Sequence, residues 1–361
     1  MNLAKTLTRT LSRTMSTSAR PSSSLIPTIS TLPDLRAWRQ QAFKEDKSVG
    51  VVPTMGALHE GHLDLVRHSL RANPLTVLTL FVNPTQFAPH EDLSSYPRTL
   101  PRDLELLETL LRSEYPGKEM DKLVVWTPSR ETMYPLSSLP APASGSTGET
   151  MLQDVNKQRG AFVEVKGWGD VLEGASRPQF FRGVATVCTK LFNAVQPDHA
   201  YFGQKDIQQA LLLKIMLKDL LTAYPTTDNL HIVPTTRDTS DHLALSSRNA
   251  YLTEAERPYA PTLHRALSQV RSSLTSYSSS TSTPTTAESA IQAARDFIET
   301  ASAEASNSSN VSIKYDYIEV FDKVTFEPIR GELQGREAVV AGAIWVGKTR
   351  LIDNLLIGWD V

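Results

Sequence analysis

Two kinds of apolar spacing divide this chain. From about residue 31 to residue 234, short apolar runs alternate with segments of helical spacing. Residues 48–53, 75–82, 123–126, 199–202 and 230–233 read as strands. The run at 75–82 is almost continuously apolar, as expected of a parallel sheet covered on both faces. Between the strands, Leu35, Trp38 and Phe43 line one helix, and Leu63, Val66 and Leu70 line another over 62–71. A third spans 101–112, with Pro101 in its first turn and Leu104, Leu107 and Leu111 on one face. Residues 183–195 and 206–221 complete the set. The alternation predicts an open α/β fold with a doubly wound, Rossmann-like parallel sheet. After residue 235 the pattern changes to helices at 254–273 and 286–303 and strands at 312–321 and 338–346. The expected organisation is a first domain over 28–235 and a smaller α+β domain over 236–361.

Three segments interrupt this pattern. Residues 135–160, rich in Pro, Ser, Gly and Ala, read as a long surface loop. The Ser/Thr tract at 278–285 reads as a mobile loop between two helices. Residues 1–27 carry Lys5, Arg9, Arg13 and Arg20 among Ser and Thr, with no acid before Asp34. That segment is expected to be a disordered tail or a mitochondrial transit peptide. The cellular location is accordingly cytoplasmic, with a mitochondrial alternative.

Composition removes several function classes. A formal net charge of −2 over 361 residues gives no reason to expect nucleic acid or an anionic membrane as partner. Cys188 is the single cysteine, so no internal disulfide and no multi-cysteine metal site can form. No apolar run approaches the roughly 18 residues of a membrane helix. A soluble intracellular protein is expected.

The chemistry concentrates where strands hand over to helices. Met55, Gly56, Ala57, Leu58, His59, Glu60, Gly61 and His62 follow the first strand of the sheet. A glycine-bearing turn before a helix start makes an anion site, because backbone N–H groups are free there and the helix dipole favours negative charge. His59 and His62 share a side of the helix and could donate to a phosphate as charge builds on it. Asn83 and Gln86 follow the next strand, where ligands of open α/β sheets bind. Gly203, Gln204, Lys205, Asp206 and Gln209 repeat the arrangement downstream, Lys205 being a mobile charge suited to phosphate. Leu245, Ser246, Ser247 and Arg248 offer two hydroxyls and a guanidinium for a di- or triphosphate.

Two other motifs fail on spacing and context. His59 and His62 stand at i and i+3, whereas zinc peptidases place their histidines at i and i+4. Gly342, Gly347, Lys348 and Thr349 match the phosphate-loop pattern. The intervening Ala343, Ile344, Trp345 and Val346 are bulky and strand-like, and twelve residues after Thr349 cannot supply the rest of such a domain.

Residues 53–62, 81–87, 96–99, 172–174, 182–187, 202–209, 243–249 and 349–354 together closely resemble, in order, the motifs of the pantothenate synthetases, or pantoate–β-alanine ligases, in a eukaryotic form with an N-terminal extension. The resemblance runs from about residue 28 to the C-terminus. Segments 59–62 and 245–248 resemble that family's versions of the two signatures shared by nucleotidylyltransferases and class I tRNA synthetases. The resemblance implies that pantoate attacks the α-phosphate of ATP to give an adenylate and pyrophosphate, and that β-alanine then displaces AMP. It implies an ATP site over Met55–His62, Gly203–Asp206, Thr236 and Leu245–Arg248, with His62, His59, Lys205 and Arg248 acting on phosphate. Gln86 and Gln209 would hold pantoate, with Asn83 beside them and Gln86 bordering β-alanine. Asp103 would meet Mg²⁺, and the protein would be a homodimer. Gln204, Leu245 and Phe180 stand where the family usually carries Glu, Met and His, and the loop at 238–242 is one residue longer.

Overall fold

A computed structural model describes residues 25–89, 93–116, 120–138, 148–275 and 285–361. Its larger sheet has six parallel strands: β1 (Thr28–Ile29), β2 (Val49–Thr54), β3 (Leu75–Leu80), β4 (Leu123–Trp126), β5 (His199–Gly203) and β6 (Leu230–Val233). Their spatial order is β1-β4-β3-β2-β5-β6. The chain therefore builds outward from β2 on one side through β3 and β4, then crosses back to add β5 and β6 on the other. The strand order reverses between β2 and β5, and a crevice opens there at the carboxyl ends.

Both faces of this sheet are covered, so its strands alternate between two cores. Val51 and Val77 pack into one with α1 (Leu32–Lys44), α7 (Phe180–Val195) and α8 (Ile207–Asp219). Val52 and Leu78 pack into the other with α2 (Glu60–Ala72) and α3 (Leu100–Glu114). Helix starts follow local chemistry. Thr31 caps α1, its hydroxyl accepting from the Asp34 N–H, and Pro33 sits in the first turn. Three short helices, α4 (Arg130–Met133), α5 (Gly148–Gln153) and α6 (Glu173–Ser176), lie in the long connection between β4 and α7.

The second unit is an antiparallel sheet of β7 (Ile313–Asp322), β8 (Ala338–Val346) and β9 (Thr349–Ile357). Helices α9 (Thr262–Thr275) and α10 (Ala287–Ser309) pack on it through Leu263, Leu267, Ala290, Ala294 and Ile298. The expected fold class holds: a doubly wound α/β unit followed by a smaller α+β unit. Three differences emerge. The helix expected over 254–273 begins at Thr262, preceded by a single 3-10 turn at Arg257–Tyr259. Strands β1 and β9 were not foreseen. The phosphate-loop motif, by contrast, is the strand its bulky residues suggest: its lysine is in the hairpin turn between β8 and β9, where Val346 pairs with Thr349 and Gly347 adopts φ +56°. In the segment read as one loop over 135–160, α5 buries Met151 and Leu152; residues 139–147 lie outside the described residues. So do residues 1–24, and 276–284 with most of the Ser/Thr tract. Among the described residues, no helix is long and apolar enough to cross a membrane.

Candidate active site

A cavity of about 540 Å³ opens at the crevice between β2 and β5. Both units line it: Met55, His59 and His62 from the β2–α2 junction, Gly203, Lys205 and Asp206 from the β5–α8 junction, and Tyr317, Phe321 and Ile352 from the antiparallel sheet. Leu245, Ser246, Ser247 and Arg248 line it too. Two motifs nearly two hundred residues apart in sequence thus face one cavity.

The turn after β2 is braced from below. Gly56 and Ala57 both adopt positive φ, +89° and +51°. The Asp103 carboxylate holds this turn, accepting from the Ala57 N–H at 3.1 Å and the Leu58 N–H at 2.8 Å. Thr99 Oγ donates to both of its oxygens at 3.2 Å, and Thr54 Oγ accepts from the Gly56 N–H at 3.3 Å. These bonds change two expectations. The N–H groups of Gly56, Ala57 and Leu58 are already engaged with protein acceptors, so these three are not the free anion donors expected of the turn. Asp103, 1% exposed, has its oxygens taken by backbone and hydroxyl donors, which does not suit a direct magnesium ligand. Among the described residues no group of three His, Cys, Asp or Glu could hold a metal ion.

His59 is the N-cap of α2. Its Nδ1 accepts from the Gly61 N–H at 3.2 Å, which leaves the ring proton on Nε2. The His62 ring lies 4.1 Å from it, centroid to centroid. Burial, with the nearby Lys205 charge, lowers the His59 pKa to about 4, and burial, with His59 beside it, lowers His62 to about 3. Both imidazoles are neutral near pH 7. The His62 Nδ1 is buried without a partner.

The wall opposite the histidines is set by local hydrogen bonds. Ser246 caps the 3-10 turn Ser247–Tyr251, its hydroxyl accepting from the Arg248 N–H at 3.1 Å. Leu245 N–H donates to the Thr236 carbonyl at 3.0 Å, and the Thr236 hydroxyl reaches Asp64 on α2 at 3.3 Å. The loop that carries the two serines is therefore tied to the helix that carries the two histidines.

At the far end, Gln86 and Gln209 line the cavity with Phe81, Phe180 and Phe181. Asn83 also borders it but is 1% exposed, and its side chain is committed to Gln86, Gly183, Thr85 and Tyr134. Phe180 sits under the Arg177 guanidinium, 4.0 Å from its ring centroid. The apolar ring is thus accommodated where the family usually carries a histidine, and it gives that arginine a cation–π partner.

Of the residues expected at the site, Met55, His59, Gly61, His62, Asn83, Gln86, Gly203, Lys205, Asp206, Gln209, Thr236 and Leu245 through Arg248 border the cavity. Gly56, Ala57, Leu58, Glu60 and Gln204 do not. Leu58 is in the core, Glu60 pairs with Arg67 at 2.5 Å, and Gln204 bonds Asn354 of β9 at 3.2 Å. Sequence reading missed the joint between the two units. Arg350 forms a bidentate pair with Glu173 at 2.8 and 2.9 Å and also meets Asp316 at 2.8 Å. Asn354 Nδ2 donates to the carbonyls of Gln204 and Lys205. Within the second unit, Asp353 accepts both arms of Arg237 at 2.7 and 2.8 Å. The 349–354 segment was singled out in sequence, yet nothing there said that it would clamp the β5–α8 junction. Gln208, buried beside Gln209, holds the loop before α6 through Glu173, Trp168 and Val171.

Comparison with known proteins agrees with this geometry. The family described as pantoate-beta-alanine ligase matches residues 27–356. The pantothenate synthetase of Moorella thermoacetica is 40% identical over 338 residues, covering 91% of this chain and 98% of its own. The crystal structure of pantothenate synthetase from Thermus thermophilus superposes with a TM-score of 0.68 at 35% identity, covering 91% of this chain and 99% of that one. Another structure, the ligase from Francisella tularensis complexed with β-γ ATP and β-alanine, matches at a TM-score of 0.61 and 28% identity, over 92% and 97% of the two chains. A matched family that spans the parallel sheet, the serine–arginine loop and the closing antiparallel sheet leaves one assignment: the chain belongs to the pantoate–β-alanine ligases, enzymes that form a carbon–nitrogen bond.

Proposed function

We propose that this enzyme condenses (R)-pantoate with β-alanine at the expense of ATP, through a pantoyl adenylate, releasing AMP and pyrophosphate. The observation that carries this reading is the meeting of the histidine pair, Lys205 and the Ser246–Arg248 wall across one cavity that also holds Gln86 and Gln209. The first group suits a polyphosphate and the second a small polar acid.

The chemistry follows from the side chains. In the first step, a pantoate oxygen attacks the α-phosphate and the bond to the β-phosphate bridging oxygen breaks. Negative charge builds on the α-phosphate oxygens and on the departing pyrophosphate. Neutral His59 and His62 donate N–H hydrogen bonds to the former, and Lys205 with Arg248 offsets the latter. Imidazoles kept neutral by burial are suited to donating a hydrogen bond rather than transferring a proton. Magnesium, carried by the nucleotide phosphates as part of the substrate, lowers the charge the protein must offset. In the second step the β-alanine amine attacks the acyl carbon, the bond to the AMP oxygen breaks, and the amine loses its proton. No covalent enzyme intermediate is required.

The unit over 236–361 closes the cavity as a lid, a homodimer is the state the family relationship favours, and the location is cytoplasmic, or mitochondrial if residues 1–27 act as a transit peptide. Light scattering and cell fractionation test the last two points. The reaction itself is tested by exchange of labelled pyrophosphate into ATP. Exchange that needs pantoate but not β-alanine supports the adenylate. Exchange that needs a different acid would assign another acceptor.

A further inference from the structure

We propose that Asn83, oriented by the Gly183 carbonyl and held from behind by the Tyr134 hydroxyl, sets the hydrogen-bonding polarity of Gln86, so that Gln86 offers an amide N–H₂ rather than a carbonyl to the carboxylic acid substrate. Tyr134 is a positioning residue in this scheme. The inference rests on the reading of the cavity as a pantoate site.

One atom beside Asn83, the Gly183 carbonyl oxygen, can only accept. The Gly183 carbonyl faces the Asn83 side chain at 3.2 Å, so the Asn83 atom opposite must be Nδ2. That orientation turns Oδ1 toward two hydroxyls, Tyr134 Oη at 2.7 Å and Thr85 Oγ at 3.0 Å. It also aims the second Nδ2 proton at Gln86, 2.8 Å away. The Gln86 atom there must accept and is Oε1, which leaves Nε2 for the cavity that Gln86 lines. Each link forces the next: carbonyl, Asn83, Gln86, ligand. Tyr134 and Thr85 close the chain from behind by filling both lone-pair directions of Oδ1. Tyr134 is 3% exposed, and burial raises its pKa, so it stays a hydroxyl donor at all working pH values. A carboxylate accepts and cannot donate, so it matches the presented N–H₂ and would be repelled by the amide in the opposite orientation.

A double-mutant cycle tests this. Tyr134→Phe keeps the packed ring and removes the donor. We expect the KM for pantoate to rise roughly three- to tenfold while the KM for ATP stays constant. In a Gln86→Ala background the same Tyr134→Phe change should alter kcat/KM for pantoate less than about twofold, because the proposed relay runs through Gln86. An equal loss in both backgrounds, or a parallel rise in the KM for ATP, would overturn the relay. Should Tyr134→Phe fail to fold, Gln86→Glu asks the same question. It keeps an acceptor for Asn83 and places an oxygen where the amide nitrogen stood. Pantoate should then bind far less well, while pantoamide, which can donate, should gain as an inhibitor relative to wild type. Unchanged preference between acid and amide would refute the proposal. If wild-type enzyme fails to use pantoate at all, the functional reading fails, and that outcome is read before any variant is made.

Discussion

Burial keeps charge off His59 and His62, and this has consequences for both catalysis and stability. The two rings titrate near 4 and 3 in the folded protein, against an ordinary value of 6.5. A lowered histidine pKa means that the unfolded chain takes up the proton first as pH falls. Stability from this source is therefore complete above about pH 6.5 and is lost progressively below it. Between pH 7.5 and pH 5, His62 alone should contribute a loss of about 2 kcal/mol. Urea unfolding at the two pH values checks this: His59→Gln/His62→Gln should show a smaller pH dependence than wild type, and an identical one would refute the assignment. Catalytically, His62→Ala should slow adenylate formation by about 10²–10³-fold in single turnover, the usual effect of removing one transition-state donor. At this scale the sequence identified many of the polar residues that face the cavity, but not Arg177, Tyr251 or Tyr317, nor the residues that brace it from behind. Strand–turn–helix patterning placed His59, His62, Lys205 and Gln209. It could not show that Asp103, 45 and 46 residues from Leu58 and Ala57, would take up their N–H groups, since that contact depends on how α3 packs beneath the turn.

Helices and strands position these residues by close approach. The 3-10 turn Pro84–Gln86 lies against α7, and a Cβ on Gly183 would come within 2.3 Å of the Thr85 carbonyl oxygen. Gly183→Ala must therefore push the turn away and carry Gln86 with it. We expect a loss of about 1–3 kcal/mol in thermal or urea unfolding and a higher KM for pantoate. Retained stability with unchanged KM would show that the two elements separate freely. Asp103→Asn removes the charged acceptor under the Ala57–Leu58 turn, and should cost about 1–3 kcal/mol, with reduced ATP affinity measured by calorimetry. Elements were the most legible scale in sequence. The strands at 123–126 and 230–233 and the strand at 338–346 match the structure to the residue, because buried parallel or antiparallel strands read as apolar runs. Strand β9 was missed because Arg350, Asp353 and Asn354 break its apolar run. Arg350 and Asn354 are committed to the joint with the first unit and Asp353 to Arg237, so the signal that hid the strand was the signal of its task.

The whole molecule is held closed over the cavity by that joint. Apolar contacts of Ile207 and Leu211 on α8 with Phe321, Phe326, Val339 and Ala341 supply one part. The Glu173–Arg350–Asp316 cluster supplies another, with Arg350 and Glu173 each 13% exposed at the side chain. Arg350→Ala leaves two carboxylates facing each other without their cation. It should destabilise the protein by about 2–4 kcal/mol and enlarge the radius of gyration in solution scattering, with kcat falling because the serine–arginine wall is no longer held over the histidines. Unchanged scattering and kcat would separate the joint from catalysis. The two-unit organisation was readable from the change in pattern after residue 235; the interlocking of the units was not, because it depends on pairs more than a hundred residues apart. The central claim is that this closed cavity joins an acid to an amine through an adenylate. The direct test is product analysis with ATP, pantoate and β-alanine, each omitted in turn. We expect pantothenate, AMP and pyrophosphate in equal amounts, with steady turnover only when all three substrates are present. Formation of ADP and orthophosphate, or turnover that does not depend on pantoate, would contradict the account.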